Sequence, residues 1–528
     1  MNLKGKFQSN NFFYCLLILW AIFQVIQLDG EWAMMDGDDA QYISHALSLI
    51  EHHRYEDPNF IENPENIYCS KGGPLGWPLL LVPIVFLFGK NLLVFKVFVI
   101  LFAMGSGILL LKILELRTND YWLSFLITAI YYFSMTTIVY SRIVYTEWPY
   151  MFFSFIVLYL LLGVKWRIEN KRRLILTGVC IGFSLLFRAV AISLVLAVIA
   201  VVVQNKIIVE RKIWVGIRWI GLILFTTIVI YQTVHFVVQP EEGGGYKEQF
   251  LSKNLFFQEE GKASLGDVIS RIPENGRHFV RKIEPLFLGR CWHEVIEYTS
   301  PNTAKFINPL LYLLGAFISF FIVVGFILEV RRKPSVIEYY TLFYLVIMSI
   351  IWFHYEVYRY LMPITSFLIF YFSVGILFVV ERVVKNAKKA KSVLYGFLTF
   401  ILFVNVCHAG IEIYRYKFSS MSAKTTFSPY KATVEWLKEN VKSNEVIIAD
   451  DPRWYALETE LPATMFPTSK DYKKVYNYIT KFPGSVIVFD HKRRWSKVCL
   501  LPVLEKYCDR FVLLKEIGHI KIYGWKRN

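Results

Sequence analysis

Residues 174–203 read LILTGVCIGFSLLFRAVAISLVLAVIAVVV, apolar throughout except for Arg188 near the middle. How this stretch crosses a bilayer decides the topology of the whole chain. As one helix it would be about 45 Å long at 1.5 Å per residue, well beyond the roughly 30 Å of a hydrocarbon core. It would also hold a guanidinium in lipid, at high cost. A single crossing would further turn the basic cluster Lys206, Arg211, Lys212 and Arg218 away from the side that the other basic clusters occupy. Two short helices meeting near Arg188 at the outer face remove all three difficulties.

On either side of this hairpin, runs nearly free of charge fall at 12–28, 91–111, 121–138, 148–164, 217–238, 306–328, 339–353, 361–380 and 392–410. With 174–187 and 189–203 they make about eleven spans of near-membrane length. The first follows Lys4 and Lys6 as a signal peptide would, but no small-x-small cleavage site follows it, so it reads as an uncleaved anchor. An odd number of spans puts the carboxyl-terminal part outside. The clusters Lys165, Arg167, Lys171, Arg172, Arg173; Arg331, Arg332, Lys333; and Arg382, Lys385, Lys388, Lys389, Lys391 then all face the cytoplasm, as the positive-inside rule requires.

Composition agrees. The chain is 55% hydrophobic and 19% charged, with a mean hydropathy of +0.42, where a soluble domain carries about 25% charged residues. The formal charge of +16 is accounted for by these inner loops, so nucleic acid is not an expected partner. Seven cysteines are too few for a disulfide scaffold. Cys69 with Cys291, and Cys499 with Cys508, could each form a bridge or stay as free thiols, and no Cys/His spacing resembles a zinc site.

The fold expected is thus a polytopic all-α membrane protein with a small C-terminal soluble α/β domain. A transmembrane domain takes residues 1–410, with outer loops at 29–90 and 239–305, and the extracytoplasmic domain takes 411–528. Within the first loop, Pro78–Phe88 is too short to span and contains Pro78 and Pro83, which predicts an interfacial or re-entrant helix. In the tail, helix-like pieces (Thr433–Val441, Tyr472–Lys481) alternate with strand-like ones (Val446–Ala449, Ser485–Phe489, Ile520–Gly524). No internal repeat of the transporter kind is visible.

The chemistry-bearing residues cluster at the outer face. Met35-Asp36-Gly37-Asp38-Asp39-Ala40-Gln41-Tyr42 places three carboxylates within four residues, at the start of a helix marked by Ala40, Ile43, Leu47 and Ile50. One Asp capping that helix is the competing structural reading; a single cap explains one acid and not three, so the cluster points to catalysis or metal binding. Lys71 sits in a Gly- and Pro-rich turn and suits an anionic headgroup; a solvated loop lysine is the competing reading. Lys96 lies just inside the second span and can snorkel to the interface. Glu147 opens the fourth span, Arg188 turns the hairpin, and Arg359 opens the tenth. Each alone suits an interfacial anchor. Their convergence on one face points to a site, because ionisable groups at membrane depth are costly.

These motifs resemble the GT-C glycosyltransferases, in the branch of protein O-mannosyltransferases and lipid A aminoarabinose transferases. Asp38-Asp39-Ala40-Gln41-Tyr42 matches that branch's Asp-acid-x-x-Tyr element, with Asp in place of the commoner Glu. Pro74-Leu75 and Phe88-Gly89 match the turn and the interfacial helix end. Lys71 falls near the family's phosphate-contacting lysine. Glu147 matches the acid of the second outer loop, and Arg359-Tyr360-Leu361-Met362-Pro363 a late Arg-Tyr-x-x-Pro element. The resemblance spans about residues 10–410; the 237–305 loop and the tail match no catalytic element.

The resemblance implies an inverting hexosyl- or pentosyltransferase. It would take a sugar from a polyprenyl-phosphate donor in the outer leaflet of the cell (plasma or inner) membrane and pass it to a lipid, glycan or protein hydroxyl. Asp38 is the expected general base, with Asp39 or Asp36 in reserve. Lys71, Arg188 and Arg359 would stabilise the departing phosphate, with Glu147, Tyr42 and Lys96 as further contacts. No cofactor is required, and three acids leave a divalent cation open. Asp450-Asp451 reads as a strand-end loop without a catalytic role. The competing functions are a lipid-linked glycan flippase or other transporter, and a surface-glycan polymerase or ligase with its key residues in the 237–305 loop.

Overall fold

The computed structural model describes residues 3–32, 37–69, 72–163, 171–238, 246–284, 287, 301–351, 357–418 and 423–526. In chain order the helices are α1 (Leu3–Gln27), α2 (Asp38–Glu51), α3 (Gly76–Phe88), α4 (Leu92–Thr118), α5 (Tyr121–Tyr132), α6 (Met135–Tyr140), α7 (Glu147–Leu162), α8 (Lys171–Phe187), α9 (Ile192–Val202) and α10 (Ile213–Val238). There follow α11 (Tyr246–Leu251), α12 (Leu265–Arg281), α13 (Pro301–Arg332), α14 (Val336–Ile350), α15 (Val357–Val384), α16 (Ala387–Phe418), α17 (Ala423–Asn440), α18 (Pro452–Thr459), α19 (Tyr472–Ile479) and α20 (Leu501–Lys506). The chain is mostly helical and forms a multi-pass membrane protein. By length and composition, six of the described helices can cross a bilayer, among them Ala189–Val209 and Val357–Val384. Shorter apolar helices include Phe13–Gln27, Tyr121–Phe133, Glu147–Leu162 and Val336–Ile350.

The chain divides into two compact units: Met1–Leu28 with Lys96–Val234 and Ile269–Tyr414, and Asp29–Phe95 with His235–Val268 and Arg415–Asn528. The first unit is the membrane bundle. Its helices stop and start on local signals. Asp120 caps α5 by accepting from Leu123 N, and Ser134 accepts from Thr137 N, so the predicted span 121–138 is two helices with a break at Phe133. Ser335 and Glu338 form a capping box at the head of α14. Between α8 and α9, Arg188 has extended backbone (φ −152°, ψ 131°), so the 174–203 run is the expected pair of short helices. Where α13 meets α15, a Cβ on Gly325 would stand 1.8 Å from the Tyr371 carbonyl oxygen, and one on Gly375 2.2 Å from that of Phe321. Only glycine permits so close an approach of two membrane helices. Lys206, from one of the basic segments between spans, is 2% exposed, pairs with Glu210 at 2.8 Å and lies over the Trp219 ring.

The second unit is built from three separate parts of the chain. Its sheet has the order β1-β3-β2-β4-β6-β5. The strands are β1 (Phe60–Ile61), β2 (Ile447–Ile448), β3 (Ala463–Thr464), β4 (Val486–Asp490), β5 (Phe511–Ile517) and β6 (Ile520–Trp525). The first four run parallel, and β6 and β5 close the far edge antiparallel. The first loop supplies β1, with Phe60 paired to Ala463. Asn63 Nδ2 donates to the Met465 carbonyl at 2.9 Å, and Asn66 Nδ2 to that of Phe466 at 2.8 Å. From the third segment, Phe256 accepts through its carbonyl from Thr468 Oγ1 at 2.5 Å. The loops at 29–90 and 239–305 were expected in the transmembrane domain; their described parts up to residue 268 pack with the tail. The short apolar segment Pro78–Phe88 falls within the helix α3. Phe86, Leu87 and Phe88 at its end are exposed. Cys499 and Cys508 are both free thiols, and Cys291 lies outside the described residues.

Candidate active site

In the second unit, α2 begins at Asp38, directly after Gly37. Gly37 stands at the capping position with φ +81° and has no side chain to cap with. Asp38 and Asp39 stand instead in the first turn, where the helix dipole favours a carboxylate. Asp39 is 2% exposed, and its Oδ1 accepts from Ala40 N at 2.9 Å. Tyr42 is buried one turn on. From the same helix, Ser44 Oγ donates to the buried Asp57 at 2.8 Å.

The tail meets this acidic turn. Asp451 follows β2 as the expected strand-end residue, and a Cβ on Gly37 would lie 2.6 Å from its Oδ1. Burial raises the Asp451 carboxyl to about 6; Arg493 opposes the rise, and Asp450 and Asp38 add to it. Arg493 Nη2 lies 3.7 Å from Asp451 Oδ2. Arg453 is buried over the Phe60 ring. Burial works against its charge, but Cys69, Asp57, Asp38 and Asp451 outweigh burial and raise its affinity for the proton. Asp38 is therefore within electrostatic reach of one more carboxyl and one buried guanidinium, both from the tail.

Beside α2, the same unit holds a cleft of about 500 Å³. Ile43, Trp32, Phe427 and Trp454 supply apolar wall, and Lys90 and Glu458 supply charge. Lys90 Nζ stands 3.6 Å from Glu458 Oε1, which also accepts from the Trp32 indole at 3.2 Å. A pocket of this volume, with aromatic walls and a few polar groups, is of small-ligand size.

In the first unit a second cluster forms. Glu147 at the head of α7 is fully buried. Its Oε1 accepts from Arg188, at the α8–α9 break, and from Arg359 Nε of α15 at 2.5 Å. Arg359 lies over the Tyr145 ring at 3.9 Å, and Arg188 over the Tyr360 ring at 5.1 Å. These three charged groups, from three separate helix ends, total +1. A buried carboxylate shared by two buried guanidiniums holds each rigidly. The surplus positive charge suits an anion.

Lys96 of α4 is 1% exposed. Asp36 and Lys71 lie outside the described residues. Among the described residues no three His, Cys, Asp or Glu side chains gather as metal ligands would. The sequence motifs singled out Glu147, Arg188 and Arg359. They gave no hint that Arg453 and Arg493 enter the surroundings of the acidic turn, since nothing in a strand-end loop announces what it packs against.

Neither a protein-family model nor a curated protein matches the sequence. Solved structures do. ArnT from Cupriavidus metallidurans, bound to undecaprenyl phosphate, aligns with a TM-score of 0.53 at 11% identity, over 97% of each chain. The archaeal oligosaccharyltransferase AglB from Archaeoglobus fulgidus, in complex with an inhibitory peptide and a dolichol-phosphate, aligns with a TM-score of 0.55 at 13% identity, over 98% of this chain and 74% of that one. The Archaeoglobus fulgidus oligosaccharyltransferase tethered to an acceptor peptide gives 0.51 at 12% identity, over 98% and 74%. The likeness runs through the membrane bundle and the soluble sheet alike, and the chain has the GT-C fold of membrane glycosyltransferases.

Proposed function

We infer that the chain transfers a sugar, a hexose or pentose, from a polyprenyl-phosphate donor to an acceptor hydroxyl on the extracytoplasmic face, with inversion at the anomeric carbon. The observation that carries the reading is the buried Glu147–Arg188–Arg359 cluster, in a fold shared with proteins solved with undecaprenyl and dolichol phosphates. Asp38 takes the proton of the acceptor hydroxyl. The acceptor oxygen attacks the anomeric carbon, the bond from that carbon to the phosphate oxygen breaks, and the polyprenyl phosphate leaves with the electron pair. Arg188 and Arg359 stabilise the charge that grows on the leaving phosphate. No metal takes part in this scheme. A lipid, glycan or protein acceptor presents its hydroxyl at the cleft beside α2, where aromatic rings stack on sugar-like faces.

The test is to incubate the purified protein with a panel of polyprenyl-phosphate sugars and candidate acceptors, and to follow free lipid phosphate. Release that depends on acceptor supports the reading. Movement of intact donor between leaflets without release would favour a flippase, and transfer of whole glycan chains a polymerase or ligase. Sidedness is read by labelling single cysteines placed at residues 62 and 389, which should react from opposite sides of the membrane.

A further inference from the structure

The cleft beside α2 is walled by two helices of the tail. Phe427, Lys431 and Val434 line it at i, i+4 and i+7 along α17, and Trp454 and Glu458 at i and i+4 along α18, so each helix gives one stripe to the same space. The charges of the lining cancel. Lys90 Nζ stands 3.6 Å from Glu458 Oε1, and Lys431 Nζ 3.8 Å from Glu31 Oε1. Two cations against two carboxylates leave no surplus for an anion, unlike the cluster at Glu147. Within this neutral lining Glu458 is held in one pose. Its Oε1 accepts from the Trp32 indole at 3.2 Å and faces Lys90, while Oε2 has no partner among the described residues. The side chain stays partly exposed. A carboxylate fixed through one oxygen and open at the other accepts a hydroxyl well. The rings of Trp32 and Trp454, which line the same cleft, offer flat apolar faces to the C–H side of a sugar ring. About 500 Å³ suits a short saccharide.

We propose that this cleft is a binding site for an uncharged saccharide, which lies against Trp32 and Trp454 and donates a hydroxyl to Glu458. That this saccharide is the acceptor rests on the glycosyl-transfer reading; the binding site does not. The tail then selects the acceptor, and Glu458 is the residue that sets the choice. An acidic or phosphorylated sugar meets a carboxylate here with no spare cation to answer it. Ile43 lines the cleft from α2, five residues or about 7.5 Å of helix rise from Asp38, so the saccharide is held on the helix that carries the proposed base.

The test uses the full-length protein in lipid nanodiscs with one added thiol, Asn91→Cys, at an exposed and uncharged position of the lining. Its modification by a maleimide is read at that residue by peptide mass spectrometry and needs no activity. The probes are glucosyl-, galactosyl-, mannosyl- and N-acetylglucosaminyl-diacylglycerol in the disc, and the matching methyl glycosides in solution at millimolar concentration. Saturable protection by one of them is expected. Protection from the disc alone assigns a lipid-borne sugar, and protection from solution a free or polymeric glycan. Glu458→Gln is expected to weaken that probe by about tenfold or more, as a lost hydrogen bond to a charged group does. Trp32→Phe keeps a ring but removes the donor that holds Glu458, and is expected to weaken it less. In the transfer assay both variants should raise the KM for the acceptor and leave kcat and the donor KM unchanged. Protection by no saccharide overturns the proposal. So does protection by a Ser/Thr peptide in their place, a methyl glucuronide bound as tightly as the glucoside, or an affinity unchanged in both variants. If the wild type transfers no sugar from any donor, the glycosyl-transfer reading fails, and protection still decides the cleft.

Discussion

Arg359 Nε donates to Glu147 Oε1 at 2.5 Å across 212 residues of chain, in a fully buried setting. The same oxygen accepts from Arg188, so one carboxylate fixes two cations that chain order keeps far apart. Removing one member of a buried ion group leaves the others uncompensated, at about 3–5 kcal/mol. Glu147→Gln is therefore expected to lower the melting temperature sharply. On the proposed reading, in which the cluster meets the donor phosphate, polyprenyl phosphate is expected to raise the wild-type melting temperature. A Glu147→Gln variant as stable as wild type would show that the pairs contribute nothing to folding.

Asp38→Asn is expected to abolish transfer, by about 10²- to 10⁴-fold for a lost general base, in a protein that still folds and inserts. The checks are size-exclusion behaviour, protease resistance and product formation by the same preparation. Retained transfer removes Asp38 from its role and passes it to Asp39 or Asp36. EDTA is expected to leave the wild-type rate unchanged, and a loss restored by a divalent ion would reverse that.

Asp451 gives the second unit a pH dependence of defined sign. Burial raises its carboxyl to about 6 in the folded protein, from 3.8. Between those values the folded state binds a proton that the unfolded chain has released. The contribution to stability is thus fully present below about 4 and is lost as the pH rises through 6, amounting to about 3 kcal/mol. Melting curves at pH 4, 5, 6 and 7 should show the wild type losing stability relative to Asp451→Asn across this window. Parallel curves would mean that the carboxyl titrates normally.

Asn66 fastens the first loop to the tail. Its side chain donates to the Phe466 carbonyl at 2.8 Å and accepts from Thr468 N at 3.1 Å, at 1% exposure. Asn66→Ala strands those buried backbone groups, at about 1–3 kcal/mol. Faster limited proteolysis within residues 57–69 is the expected sign, beside the exposed control Lys473→Ala, which should stay within about 0.5 kcal/mol of wild type.

The bundle was legible because bilayer thickness writes itself into sequence as apolar runs, and a lone arginine in a 30 Å slab admits few solutions. Arg188 marked the hairpin for that reason. The helix break at Ser134 was not legible, since the apolar run continues through it and only the cap reveals it. In the tail, β2, β4 and β6 were visible as alternating or apolar segments, β2 because its two residues sit in the apolar run Val446–Ala449; β1 of the first loop, between Asn59 and Glu62, and β3, behind Pro462, have two residues each and no such run around them. The acidic turn announced itself by charge density. Its partner Asp451 did not, because its proximity to Gly37 is a product of parallel strand pairing, and nonlocal register leaves no local trace.

Thr464 Oγ1 bonds to the Ile61 carbonyl across 403 residues, beside the β1–β3 pairing. On a ribosome adding about 5–20 residues per second, the first of these strands waits roughly 20–80 s for its mate. Meanwhile its open edge is a hazard of the kind that unpaired strands present to other chains. Assembly order is thereby built into the molecule: the sheet that holds the first loop cannot close until every intervening helix has been made.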